Sequence, residues 1–293
     1  MADQKLIEDI VRQVLADMRK TPVKSNDFTD VLPAVGECKG DCLDITSPDC
    51  RTEQLITDAE DRDSLMRMKN KTSARIGVGR AGGRLRTQTL LTLRADHAAA
   101  RDAAFMDVSE RFLEELGLFT VRTTCADKNN FLTNPDAGKV FSGEAVEMIK
   151  SRCRMNPDVQ ICASDGLSSK AIEANLANIL PAITDGFTAR GITVGTPFFV
   201  KYGRVGAQDA LSEIIRPKVI CTLIGERPGL VTAESMSAYI TYEARAGMPE
   251  ARRTVVSNIH KGGISAVEAG AYIAELIEKI LKAKASGVEL TSE

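Results

Sequence analysis

At 293 residues and 43% hydrophobic, the chain exceeds one typical domain and can fill a core, so two folded parts with flanking segments are expected. Its 38 basic and 40 acidic residues leave a net charge of -2, which excludes a general attraction to nucleic acid or to an anionic membrane surface. No apolar run approaches the roughly 20 residues of a membrane span, and the charged N-terminus lacks the apolar stretch of a secretory signal, so a cytoplasmic protein is expected.

Leu6, Ile7, Ile10, Val11, Val14, Leu15 and Met18 fall at i, i+3, i+4, i+7 spacing, with Lys5, Asp9 and Arg12 opposite. The pattern predicts an amphipathic helix within residues 1–20. Residues 21–55 carry Pro22, Pro33 and Pro48 with no sustained period and read as a flexible linker. A helix on a tether cannot bury its own apolar stripe. Residues 1–20 are therefore read as a targeting or docking peptide, with docking on the chain's own body as the plainer alternative.

Residues 56–117 predict a helical domain, with helices over 58–70, 87–105 and 108–116, the last closed by Gly117. From residue 118 to 293 the rhythm becomes strand and helix in alternation. Strands are expected over 118–123, 159–163, 193–200, 219–224, 238–242 and 254–258, and helices over 143–153, 167–189, 207–215 and 264–284. Short apolar strands between helices predict an α/β fold, a Rossmann-like doubly wound, mostly parallel sheet following the N-terminal helical region.

Cys125, Cys153, Cys162 and Cys221 sit in or beside apolar runs and read as reduced core thiols. Cys38, Cys42 and Cys50 match no common zinc spacing and have no histidine nearby, so no metal site is expected. Gly77-Val78-Gly79-Arg80-Ala81-Gly82 has the spacing of a dinucleotide-binding fingerprint but lacks a full strand before it and a βαβ unit around it. Arg80, Arg84 and Arg86 crowd that loop and suit a phosphate, a carboxylate or an acidic partner surface. His97 reads as a packed helix residue. His260, in a glycine-flanked loop, is the better functional candidate of the two histidines. No nucleophile elbow, zinc-protease or Walker A sequence is present, so no catalytic residue is assigned to this chain.

In open α/β sheets ligands bind beyond the carboxyl ends of the strands. The segments there are Ser164-Asp165-Gly166-Leu167-Ser168, Lys201-Tyr202-Gly203-Arg204-Val205, Gly225-Glu226-Arg227-Pro228-Gly229 and Ser257-Asn258-Ile259-His260-Lys261-Gly262-Gly263. They combine glycines for close backbone approach with amide, hydroxyl, guanidinium and carboxylate groups, a set suited to a large polar ligand. Few catalytic groups beside such an edge point to a binding partner within an enzyme.

These segments also carry a resemblance. Together with Ala74-Arg75-Ile76-Gly77-Val78-Gly79-Arg80-Ala81-Gly82, Ala95-Asp96-His97, Asp127-Lys128-Asn129 and Val194-Gly195-Thr196-Pro197-Phe198-Phe199-Val200, the chain resembles the small (light) subunits of ethanolamine ammonia-lyases over most of its length. The resemblance implies a carbon–nitrogen lyase converting ethanolamine to acetaldehyde and ammonia by a radical mechanism with adenosylcobalamin. It implies a large-subunit partner that holds substrate and active site, and a hetero-oligomer with cobalamin covered at the interface. It also implies that the N-terminal helix addresses the enzyme to the lumen of a bacterial microcompartment by contacting the shell. Cobalamin contacts of the family fall on Val205, Glu226 and Val255. Val255 stands where some relatives carry cysteine, which implies a backbone or packing contact. Neither histidine stands in the D-x-H-x-x-G pattern of chains that ligate cobalt, so no cobalt ligand is expected here. The other readings are a non-catalytic scaffold subunit and a stand-alone nucleotide-dependent oxidoreductase using the glycine-rich loop.

Overall fold

Helix α1 (Arg62–Lys69) begins where the Asp61 carboxylate accepts the Ser64 backbone N–H at 2.9 Å, satisfying one of the first-turn donors that have no partner within a helix. The computed structural model describes residues 53–290. The expected targeting helix, nearly all of the linker, and Cys38, Cys42 and Cys50 lie outside those residues. After α1 the glycine-rich segment folds as a small antiparallel hairpin of β1 (Arg80–Ala81) and β2 (Arg84–Leu85), turned at Gly82 with φ +60°. It is not a strand–turn–helix unit, because the chain reverses on itself before α2 (Thr87–Phe105) starts. A short helix α3 (Glu110–Glu115) follows.

The remaining residues build one six-stranded sheet. Its strands are β3 (Phe119–Arg122), β4 (Val159–Ser164), β5 (Phe198–Lys201), β6 (Val219–Gly225), β7 (Met236–Tyr242) and β8 (Thr254–Ile259), in the order β3-β5-β4-β6-β7-β8. Strands β3, β5, β4 and β6 run parallel, and β7 is antiparallel to both neighbours. The protein is thus mixed α/β with a mostly parallel sheet. The link from β6 to β7 carries no helix, and this short return places β7 antiparallel beside the strand before it, where a parallel neighbour would need a long crossover. Strand β5 begins five residues later than its sequence pattern predicts. Pro197 has no N–H for the ladder, and the preceding residues are tied by other bonds. The Asp158 carboxylate accepts the Thr193 hydroxyl and N–H, and the Gln160 amide donates to Thr196 O.

Helices α5 (Gly143–Arg152) and α7 (Ala207–Ile215) cover one face, with Ile149, Leu211 and Ile215 against Val121, Cys162, Val200 and Ile220. On the other face α6 (Ser169–Ala189) and α8 (Ala266–Ala283) pack Ile172, Leu176, Ile273 and Ile277 against Ile161, Cys221, Leu223 and Ala238. Period-2 alternation within each strand sends neighbours to opposite faces. Ile161 and Cys162 go to different cores for that reason. Helices α6 and α8 touch almost backbone to backbone. A Cβ on Gly270 would lie 2.6 Å from Ala182 Cβ, and one on Gly186 2.5 Å from Ala274 Cβ. Periodicity does not predict α4 (Lys128–Thr133), a single capped turn and a half whose position depends on what it meets in the folded chain.

Two consequences place the site. Strands β4 and β5 are neighbours, yet β4 leads into α6 on one face and β5 into α7 on the other. The chain therefore parts between their carboxyl ends and leaves a crevice. Second, the core under α5 and α7 takes nothing from β7 or β8. On that side β7 is covered by polar contacts from α7, with Ser237 and Thr241 buried, while β8 stays open, and Val255 on it is 45% exposed.

Candidate functional site

The strand-end glycines serve the protein's own backbone more than a ligand's. A Cβ on Gly225 would lie 2.1 Å from Ser168 O, and Gly166, at φ +51°, would bring one 2.5 Å from Gly225 O. Leu167 N–H donates to Gly225 O at 3.0 Å. The turn after β4 is thus welded to the end of β6, which corrects the reading of these glycines as openings for a ligand.

Beneath this weld lies a buried polar cluster. Asp165 pairs with Lys128 Nζ at 3.1 Å, their side chains 1% and 9% exposed. It also accepts the Tyr202 N–H at 2.8 Å and the Ser164 hydroxyl at 3.3 Å. The Lys128 ammonium lies 5.3 Å and 5.5 Å from the Phe131 and Tyr202 ring centroids. Burial holds the Asp165 carboxyl above its ordinary value although Lys128 and the Tyr202 amide pull it down. Tyr202 has φ +60°, a conformation that costs a bulky residue energy. It is held there by its N–H on Asp165, its carbonyl on the Thr123 hydroxyl and its phenol on Asp107. Burial, with Asp107, pushes that phenol up to about 12. This cluster fixes the turn that carries Arg204 and Val205.

Of the three positions expected to contact cobalamin, Val205 lies in the turn before α7, Glu226 directly after β6, and Val255 second in β8. Glu226 is a constrained carboxylate. Oε1 accepts the Ser237 hydroxyl at 2.5 Å and the Asn258 N–H at 3.0 Å, and Oε2 accepts the Ser235 hydroxyl at 2.8 Å. Burial alone would raise this carboxyl, but Ser237, the Asn258 amide and Ser235, with His260 nearby, together hold it below the usual glutamate value. Val205 and Val255 are registered through intermediaries. Gln208, in the first turn of α7, donates to Tyr239 O at 2.7 Å, and Tyr239 pairs with Val255. Arg253, two residues before Val255, grips both Asp209 oxygens at 3.1 Å and donates to Glu250 at 2.7 Å and Gln208 Oε1 at 3.1 Å. Sequence reasoning missed Arg253, Ser235 and Ser237. The alternation Ser235-Met236-Ser237 on a buried strand is the one signal that polar groups there face a common acceptor.

His260 is occupied locally. Nδ1 accepts the Gly262 N–H at 3.1 Å, which leaves the proton on Nε2, 2.8 Å from Asn258 Oδ1. His97, expected to pack, is exposed instead and lines a crevice with Arg204 and Arg227. In the glycine-rich loop Arg86 donates to Arg80 O at 3.2 Å, while Arg80 and Arg84 face solvent. The four described cysteines are buried free thiols. Burial raises Cys153 to about 11 and Cys162 to about 12, and raises Cys221 as well, so these remain protonated core residues. Among the described residues no helix is long and apolar enough to cross a membrane.

The family model described as ethanolamine ammonia-lyase light chain (EutC) matches residues 62–291. The ethanolamine ammonia-lyase small subunit of Clostridium tetani is 52% identical over 99% of this chain and 99% of its own length. That of Clostridium perfringens is 50% identical over 98% of this chain and 92% of its own. That of Lachnoclostridium phytofermentans is 49% identical over 98% and 97%. With a match across most of the described fold and relatives of this identity end to end, the chain belongs to the ethanolamine ammonia-lyase light-chain (small-subunit) family.

Proposed function

We propose that the chain, together with a large subunit, holds adenosylcobalamin for the conversion of ethanolamine to acetaldehyde and ammonia, and that it contributes binding and positioning but no catalytic residue. The observation that carries this reading is the open face of β8 at Val255, flanked by the constrained Glu226 carboxylate and by Val205. The residues present fit the cofactor. A carboxylate offers about four lone-pair positions, and three on Glu226 are taken from within the chain, leaving one on Oε2 for an amide N–H such as those around a corrin ring. The exposed Val255 adds apolar surface for the ring itself. When bound, adenosylcobalamin supplies a carbon-centred radical by homolysis of its cobalt–carbon bond. This chain's residues orient it, exclude water from one side and lend hydrogen bonds.

In this reading residues 118–293 are a Rossmann-like, doubly wound domain and residues 56–117 a helical part before it. Residues 1–20, tethered by 21–55, dock the assembled enzyme inside a microcompartment shell. Removing residues 1–20 is expected to leave deamination by the two-subunit complex unchanged and to abolish encapsulation. Truncated enzyme that still enters shells would sink the docking role.

The cofactor role is tested by equilibrium binding of adenosylcobalamin to the two-subunit complex. Glu226→Ala is expected to weaken binding about tenfold or more, the scale of one hydrogen bond to a charged group. Unchanged affinity would favour a scaffold subunit. Full deamination by the large subunit without this chain would overturn the reading outright.

A further inference from the structure

The crevice between the carboxyl ends of β4 and β5 holds a cavity of about 540 Å³ lined by His97, Arg101, Leu132, Leu167, Arg204 and Arg227, among others. That size falls in the roughly 300–1,000 Å³ range of small-molecule sites. No carboxylate lines it. Among the described residues none of the three arginines has a carboxylate within ion-pair distance. Arg101 lies over Phe105 at 5.8 Å and Arg204 over Phe131 at 4.0 Å. Arg204 donates from Nη2 to Phe131 O at 2.6 Å, but its buried Nε has no partner. Asp165, the buried carboxylate that Arg204 senses, is committed to Lys128 and Tyr202. Three guanidiniums and an imidazole brought together without counter-charge, one carrying an unsatisfied buried donor, are a site for an oxyanion.

Position supplies the rest. Arg204 adjoins Val205 and Arg227 adjoins Glu226, so the crevice opens beside the surface assigned above to the corrin ring. A cobalamin carries one permanent negative charge remote from its metal, the phosphodiester of its nucleotide tail. We infer that this crevice is the subsite for that phosphodiester, with Arg204 and Arg227 as its donors. The inference rests on the cobalamin reading. The apolar walls at Leu132 and Leu167 then flank the sugar and base joined to the phosphate.

The test uses the intact two-subunit complex and three probes followed by their visible absorbance in equilibrium dialysis: cobalamin, cobinamide phosphate, which keeps a phosphate but no base, and cobinamide, which has neither. Arg227→Gln changes an exposed side chain and is safe for folding; Arg204→Gln is the second variant. Each is expected to weaken cobalamin and cobinamide phosphate by about 10- to 100-fold, the scale of lost charge-assisted hydrogen bonds, and to leave cobinamide unchanged. Equal weakening of all three probes, or of none, would overturn the phosphate subsite. Loss of subunit association with unchanged affinity in the residual complex would overturn it too, and would give the arginines to an acidic surface on the large subunit. If the large subunit alone binds all three probes as tightly as the complex does, the cobalamin reading itself fails and takes this inference with it.

Discussion

Arg253→Met lowers the unfolding free energy by about 3–5 kcal/mol, the cost of removing one partner of a buried ion pair. The Arg253 side chain is 2% exposed and its bidentate partner Asp209 16%. Glu250, at 74% exposed, contributes little, since surface pairs are worth at most about 1 kcal/mol. Methionine keeps the apolar stem but leaves Asp209 and Gln208 Oε1 facing a group that cannot donate. The measurement is the shift of the urea midpoint at constant slope, and a loss below about 1 kcal/mol would show that water reaches Asp209 freely. A second effect separates positioning from mere stability. Arg253 joins the first turn of α7 to the entry of β8, so its loss moves Val205 relative to Val255. Under conditions where the variant is fully folded, cobalamin affinity of the two-subunit complex is expected to fall, with only partial recovery in Arg253→Lys, which restores charge but not the fork.

Asp165→Ala is expected to cost a similar 3–5 kcal/mol, because it strands Lys128 among the rings of Phe131 and Tyr202 and orphans the Tyr202 N–H. The pair is nonetheless a poor source of net stability. Burial holds the Asp165 carboxyl above its unfolded value, so the folded chain binds this proton more tightly than the unfolded chain does. The stabilising contribution is therefore complete below the unfolded value and is lost as pH rises through the folded one. Replacing both members, Lys128→Met with Asp165→Leu, is expected to recover part of the loss, since no charge is left buried. Recovery stops short of wild type because the Tyr202 amide still lacks an acceptor. Calorimetric unfolding of the three proteins decides the matter, and a double variant no better than Asp165→Ala would sink the argument.

Much of the fold is legible in residue order. The helix over residues 87–105 follows from its leucines and alanines, and the strands expected at 159–163 and 219–224 from short, mostly apolar runs suited to burial on both faces. Placement of Glu226 and Val205 beyond strand ends follows from the same alternation, as does the inert character of Cys162 and Cys221. These features depend on periodicity and side-chain type, which are local.

Tertiary structure decided what depends on distant partners. The antiparallel run of β7 beside β6 is set by which strands become neighbours, and the late start of β5 by Pro197 and the bonds around Asp158. Gly166 turned out to meet the backbone of Gly225, and Gly225 the carbonyls of Asp165 and Ser168. Lys128 finds Asp165 across 37 residues, and Arg253 finds Asp209 across 44. The gathering of His97, Arg101, Arg204 and Arg227 around one crevice exists only because strand order departs from chain order. Periodicity tells a segment which side to bury, but the partner it meets there is set by which strands are neighbours, and no local pattern encodes that.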